Sequence, residues 1–342
     1  MGYGGHLVWT AVFRNLHAAE RKPILVAATP RVSDLLAGCL YDRARSYEKD
    51  PVFQHNPKLR FTTECSKAAA ARWLDTVMET GLRRCGLQGA YERVVFWLTE
   101  RANRRAPCRI VHVDLRLHSY ARRQTRRRMI WKTGGHAVDI LLRRFRCQAA
   151  TYTSELYLTT EEQARAEGLL SHHGLTQYLV IDPETKGEWF GQLRAWPFER
   201  WQAVVDILLE AGSDPQLVQV GLPQSRRLRG VIDLCGKTTF REAAWVIKRA
   251  VLFVGTDGAL MHAANAMDAQ ALILWGGVNL PEFLGYPNKH QIICKYVPCA
   301  PCGNLGWCEY DHRCMRDIEV AEVVGAIRRL LQTGAQRERA RC

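Results

Sequence analysis

The chain has 342 residues, 47% of them hydrophobic and 24% charged, which excludes a low-complexity polymer and exceeds what one hydrophobic core usually holds. No run of about 18 apolar residues is present, so no segment reads as a bilayer-spanning helix. The formal charge of +14 favours polyanionic partners: nucleic acid, anionic lipid or phosphorylated sugars.

In chain order, residues 7–19 read as a helix, 23–29 as an apolar strand and 32–42 as a second helix. Residues 91–101 fit helix or strand, and 109–113 are a strand by their β-branched content. Ten arginines lie between Arg101 and Arg128, opposed only by Asp114. This run reads either as a solvated basic face or as a site for polyanions. Few aromatics interleave with it and no helix-turn-helix or RNA-recognition motif accompanies it, so nucleic acid is not an expected partner. Residues 151–174 carry polar, acidic helix material ending in glycine. The domain junction is placed there, giving an N-terminal domain over 1–165, a C-terminal domain over 166–331 and a polar tail over 332–342 that is expected to fray. The first residues show no basic segment followed by an apolar one, so a cytoplasmic location is expected.

The second half alternates regularly. Residues 177–181, 217–220, 231–234, 251–254 and 271–275 are short strands, most of them apolar throughout. Residues 198–211, 239–249 and 259–267 are helices, the second capped by Thr238 or Thr239. Such alternation indicates an α/β fold with a parallel sheet covered on both faces.

Ligands of such sheets bind outside the carboxyl ends of the strands. One such end reads Val254-Gly-Thr256-Asp257-Gly258-Ala259-Leu-Met-His262. Its glycines permit a tight turn, and the helix that follows offers unpaired N–H groups and a partial positive charge to a phosphate. Asp257 either caps that helix or accepts a hydrogen bond from a sugar hydroxyl. The same residues also read as a capped helix with a packed core histidine. A second strand end carries Glu184 and Lys186, and then Arg194 before Trp196-Pro197. These cations suit a diphosphate, and taken singly they read as surface charges.

The segments WPFERWQAVVDIL and DLCGKTTFREAAWVIKRAVLFVGTDGALMHAANAMDAQALILWGG resemble the C-terminal domain of glycosyltransferase family 9, the heptosyltransferase-type enzymes. The likeness runs over about residues 178–327. GGHLVWTAVFRNLHAA resembles the family's first glycine loop and helix. The resemblance implies the GT-B fold, two Rossmann-like doubly wound domains facing across a cleft. A nucleotide-diphosphate sugar, ADP-heptose in the main reading, would sit on the C-terminal domain. The acceptor, a lipopolysaccharide core or other anionic glycan, lipid-linked or protein-borne, would sit on the other domain. It further implies that Asp257 and His262 position the donor, with Gly258 and Ala259 on the diphosphate and Thr256 and Glu184 completing the donor site. Arg194 stands where the family commonly has lysine. With Lys186 it would stabilise the leaving group in an inverting, metal-independent transfer. His6 matches the position of the family's proposed general base, an aspartate. Gly258 and Ala259 depart from the Ser/Thr-Gly of many members. The family also places an apolar strand ahead of the first loop, and this sequence opens within that loop. A sugar-nucleotide-binding protein without transferase activity is the alternative. A peripheral contact of the basic face with an anionic membrane is a further expectation.

Of the twelve cysteines, Cys299, Cys302, Cys308 and Cys314 form a compact array. Tetrahedral thiolate sites suit zinc or iron, so a structural metal is expected there, with reduced packing thiols as the other reading.

Overall fold

Short strands that are apolar throughout bury both faces, so they pair in parallel and take helices on either side. The chain does this in two units, one of residues 8–120 and 138–152, the other of residues 2–7, 121–137 and 153–342. The computed structural model describes residues 2–36, 39–40, 47–61, 77–78, 80–82, 84–114, 121–124, 129–131, 134–185, 191–212, 215–304 and 306–339.

In the first unit, β1 (Ile24–Ala27) pairs in parallel with β2 (Leu59–Phe61) and with β3 (Arg109–His112), giving the order β2-β1-β3. Helix α1 (Tyr3–Glu20) buries Val8, Trp9, Val12, Phe13 and Leu16 at no more than 1% exposure, the mark of a core helix rather than a surface one. It starts at Tyr3, so Gly4, Gly5 and His6 lie within its first turns, not in a loop ahead of it. Helix α2 covers Val32–Leu36, and the rest of the expected helix lies largely outside the described residues. The ambiguous stretch at 91–101 belongs to helix α3 (Gln88–Asn103). Its inner face is pinned by polar contacts: Asn103 both donates to the carbonyl of Ile110 and accepts from its N–H, and Thr99 Oγ1 meets His112 Nε2 at 3.0 Å. A helix held by polar residues has no apolar periodicity to read, which explains the ambiguity. The short helix α4 spans Ala137–Leu142. Much of the arginine run, residues 115–120 and 125–128, lies outside the described residues.

In the second unit, β4 (Ala121–Gln124) and β5 (Met129–Trp131) form an antiparallel pair. Then follow α5 (Thr160–His172), β6 (Tyr178–Asp182), α6 (Gly191–Arg194), α7 (Phe198–Glu210), β7 (Gln216–Gln219), β8 (Ile232–Asp233), α8 (Phe240–Arg249), β9 (Leu252–Thr256), α9 (Ala259–Ala266), β10 (Ala271–Trp275), α10 (Pro281–Leu284), β11 (His290–Cys294), α11 (Arg313–Arg316) and α12 (Val320–Arg339). The six strands β6–β11 make one parallel sheet in the order β11-β10-β9-β6-β7-β8. Helix α12 continues to Arg339, into the tail that was expected to fray from residue 332, whose last three residues lie outside the described ones. Glutamine, alanine, arginine and glutamate are good helix formers, and no proline interrupts them there.

Alternate residues of each strand point to opposite faces. Leu179, Ile181, Leu252, Val254, Leu272 and Leu274 pack with Trp201, Val204 and Val205 of α7 and Val323, Val324 and Ile327 of α12. Tyr178 points the other way, and its hydroxyl donates to the carbonyl of Val246 in α8. Trp201 is fully buried, and truncating a buried tryptophan costs about 3–5 kcal/mol. Helices α5 and α8 each begin with a capping box, Thr159–Glu162 and Thr239–Glu242. The boxes are cross-linked: Arg241 Nε donates to Glu162 at 2.7 Å and Arg165 Nε to Glu242 at 2.6 Å. Replacing Thr239 with alanine is expected to cost about 1 kcal/mol, read as a lower midpoint of denaturant unfolding.

Candidate functional site

Numbered along the chain, the six strands of the parallel sheet run 6-5-4-1-2-3, the doubly wound order. The order reverses between β6 and β9, and ligands of such sheets bind beyond the carboxyl ends at that point. Asp182 ends β6 and pairs in register with Gly255 of β9. The stretch Thr256-Asp257-Gly258 therefore leaves the sheet at the switch point and leads directly into α9.

Gly258 is the N-cap of α9, with no side-chain cap and an extended φ of −159° that any residue adopts. Asp257 is thus not the helix cap, and the turn itself does not demand glycine at 258. What glycine leaves there is room: an added Cβ would meet only the Thr256 carbonyl, at 3.8 Å. The first N–H groups of α9 have no partners within the helix, a geometry that suits an anion. Gly255 is needed for packing, because a Cβ there would lie 2.7 Å from the ring of Phe253.

Asp257 is 2% exposed. Arg194, the last residue of α6, donates through Nη1 to the Asp257 carbonyl at 2.7 Å and lies 3.4 Å from its Oδ1. The second carboxylate oxygen, Oδ2, is buried without a hydrogen-bond partner, an acceptor left unsatisfied by the protein. The neighbouring Asp182 carboxyl is pushed up to about 7, chiefly by burial, so near neutral pH it adds less repulsion toward an anion than an ordinary aspartate would.

His262 is buried in α9, and its Nδ1 meets the Tyr286 hydroxyl at 2.7 Å. Burial, aided by the positive potential of His136, His290 and Arg194, drives its pKa down to about 3, so the ring is neutral at physiological pH. Tyr286, pushed up to about 12 by burial, keeps its proton at physiological pH, and its hydroxyl fixes the orientation of the ring through Nδ1. The first turn of α1 lies against this ring, since a Cβ on Gly4 would stand 2.9 Å from His262 Cδ2. His6, 7% exposed, follows in the same helix.

His290 is likewise held down to about 4 by burial, and neither of its ring nitrogens has a hydrogen-bond partner. An unfolded histidine titrates near 6.5, so between about 6.5 and 4 the unfolded chain binds protons that His262 and His290 refuse in the folded state. Stability should therefore fall as pH drops through that window. Thermal melts across it should show a declining midpoint, with a shallower slope in His290→Gln.

The structure brings Asp257, Gly258, Ala259, His262, Thr256 and Arg194 together. Thr256 is buried as the last residue of β9. Glu184 is engaged by Arg226, which donates to it through Nε at 2.8 Å and through its backbone N–H at 3.2 Å. Lys186 lies outside the described residues. A cleft of about 380 Å³ beside α6 is lined by Trp196, Phe198, Arg226, Cys308 and His312 among others, and does not include the Asp257 loop. Sequence reasoning missed three contributors: Asp182, Tyr286 and Gly4. Asp182 had a signal, a carboxylate ending an apolar strand, whereas Tyr286 and Gly4 had none.

The cysteine loop folds over the end of β10. Cys302 N–H donates to the Gly277 carbonyl at 2.9 Å, and Cys314 Sγ lies 3.3 Å from where a Gly277 Cβ would be. Cys308 Sγ accepts from the backbone N–H of His312 at 3.4 Å. Burial, and then the nearby thiols, raise the pKa of Cys314. Among the described residues, no three histidine, cysteine or acidic side chains stand in a metal-holding arrangement.

Residues 140–306 match the profile described as glycosyltransferase family 9 (heptosyltransferase). Over these residues, a little under half of its length, the chain is similar to glycosyltransferase family 9. Lipopolysaccharide heptosyltransferase 3 of Escherichia coli is 31% identical over 121 residues, which cover 32% of this chain and 34% of that protein. Lipooligosaccharide heptosyltransferase 2 of Haemophilus influenzae is 27% identical over 135 residues, covering 35% and 39% of the two chains. The chain thus spans roughly a third of the length of the curated relatives it matches. A glycosyltransferase family 9 structure from Veillonella parvula superposes with a TM-score of 0.61 at 15% identity, covering 97% of this chain and 95% of that one. The fold is α/β, of the GT-B class.

Proposed function

We propose that the chain is an inverting glycosyltransferase that moves a heptose-like sugar from a nucleoside diphosphate, ADP in the first instance, to a lipopolysaccharide-core acceptor. The observation that carries this is the switch-point loop: an open helix N-terminus, an arginine fixed beside it and an unpartnered buried carboxylate oxygen. The heptosyltransferase relatives support the choice of sugar and acceptor.

In this reading the amides of Gly258 and Ala259 and the Arg194 guanidinium hold the diphosphate, and Asp257 Oδ2 accepts from a donor hydroxyl. The acceptor oxygen attacks the anomeric carbon as the bond to phosphate breaks, and the nucleoside diphosphate departs with the electron pair. Arg194, Lys186 and the helix end stabilise that charge, and preorganised electrostatics of this kind usually supply the largest share of the acceleration. His6 takes the acceptor proton. The transfer takes no metal, and the protein works on the cytoplasmic side in peripheral contact with an anionic membrane.

Thermal-shift measurements across nucleoside diphosphates and their sugars, followed by a transfer assay, test the reading. An ADP-sugar should raise the melting temperature and be consumed only when acceptor is present. Stabilisation without turnover would favour the sugar-nucleotide-binding alternative, and no response to any nucleotide would overturn both.

The proposal extends to a structural zinc or iron held by Cys299, Cys302, Cys308 and Cys314, around which the loop would tighten. Its support is the spacing of these residues and their shared neighbourhood. Elemental analysis of protein purified without chelator should find about one equivalent; traces alone would end the idea.

A further inference from the structure

Helix α3 is oriented against its composition. Its buried positions are Glu92, Val95, Thr99 and Asn103. Trp97 and Val94, by contrast, are 58% and 52% exposed. The bonds from Thr99 to His112 and between Asn103 and Ile110 enforce this. Turning the helix to bury Trp97 would strand those buried polar groups, which is costly.

At about 100° per residue, Arg93, Val94, Trp97, Arg101 and Arg104 fall within an arc of roughly 100°. All five are exposed, as is Arg105 at the edge of the arc. The guanidinium of Arg101 sits over the Trp97 ring, 5.7 Å from its centroid. Among the described residues of α3, no free carboxylate opposes them on this face. Glu92 is buried, and Glu100 accepts two hydrogen bonds from Arg109 at 2.9 and 3.0 Å. The result is two apolar side chains framed by four arginines.

We infer that this face of α3 docks on an anionic lipid bilayer. Trp97 and Val94 would enter the boundary between headgroups and acyl chains, while the arginines meet lipid phosphates. An indole with a cation beside it and long amphipathic stems around it suits that interface. A second copy of the chain is disfavoured because like charges would face each other across a twofold axis. A nucleic acid is disfavoured because Arg101 already covers the indole face on which a base would stack. The inference deepens the membrane contact proposed above and is independent of the transfer chemistry.

The test is co-sedimentation of the full chain with phosphatidylglycerol–phosphatidylcholine vesicles and with pure phosphatidylcholine vesicles, at low and high salt. Binding should require the anionic lipid and weaken as salt rises. Each charge near such a surface contributes about fivefold, so Arg93→Glu/Arg101→Glu/Arg104→Glu should lower partitioning by roughly a hundredfold or more. Val94→Ser/Trp97→Ser should lower it by about tenfold. Quenching of wild-type fluorescence by brominated lipid should shrink in Trp97→Phe, a variant that barely perturbs folding. Nucleotide-induced thermal shifts should be the same in all variants, since none of these residues belongs to the donor site. Variants that sediment like the wild type, unchanged quenching in Trp97→Phe, tighter binding to an oligonucleotide than to vesicles, or concentration-dependent self-association through this face would each overturn the inference. Vesicle binding without any nucleotide response would leave it standing and overturn the transferase reading instead.

Discussion

Replacing Arg194 with alanine is expected to lower kcat by about a hundredfold, the scale of losing one preorganised donor to developing negative charge. The same arginine also holds the loop, through the Asp257 carbonyl at 2.7 Å and its carboxylate at 3.4 Å. Its removal leaves a carboxylate that is 2% exposed without its cation. Breaking such a pair typically costs several kcal/mol, so the variant should also melt earlier. The two effects can be separated. In Arg194→Ala/Asp257→Asn the orphaned charge is gone, and the melting temperature should recover while kcat stays low. Unchanged turnover in the single variant would remove Arg194 from the site. Recovery of both properties in the double variant would make it a structural anchor only.

The second large effect is expected at His262. With Nδ1 tied to the Tyr286 hydroxyl at 2.7 Å, the ring is held with its Nε2 side beside the first turn of α1. His262→Ala should weaken donor binding by roughly ten- to a hundredfold, the range for losing one buried hydrogen bond. Tyr286→Phe keeps the ring and removes only the hydroxyl, and it should weaken donor binding by about tenfold. Because the tyrosine acts through the histidine, the double variant should be no worse than His262→Ala alone. Isothermal titration with the nucleotide provides the cycle. Additive losses would mean that the two residues act separately, and no loss in either variant would make His262 a packed core histidine.

Much of the second unit was legible in advance. Strands β6, β9 and β10 are built on apolar runs, and α8 carries a capping box at Thr239, so local pattern and final structure agree. The loop at Asp257 could be singled out because carboxylate, glycine and histidine interrupt an otherwise apolar stretch. Two details of that reading changed with the fold. Asp257 is paired with Arg194 rather than capping α9, and Gly258 adopts an extended conformation open to any residue. Glu184, expected at the donor, is bound to Arg226. Helix α3 was ambiguous because its inner face is polar, and the tail was misjudged because a polar composition is equally compatible with a solvated helix.

What the sequence by itself determined is therefore the local alternation of strand and helix, the residues able to bind an anion and the likeness to glycosyltransferase family 9. Each depends on near neighbours in the chain, and backbone sterics and hydrophobic periodicity act at that range. Which strand ends meet was decided by tertiary structure alone. Hydrogen bonding placed β6 against β9, so Asp182 came beside the Asp257 loop, and packing carried Tyr286 and Gly4 onto His262. These partners come from far apart along the chain, and no local pattern encodes a contact that exists only once the sheet has been ordered.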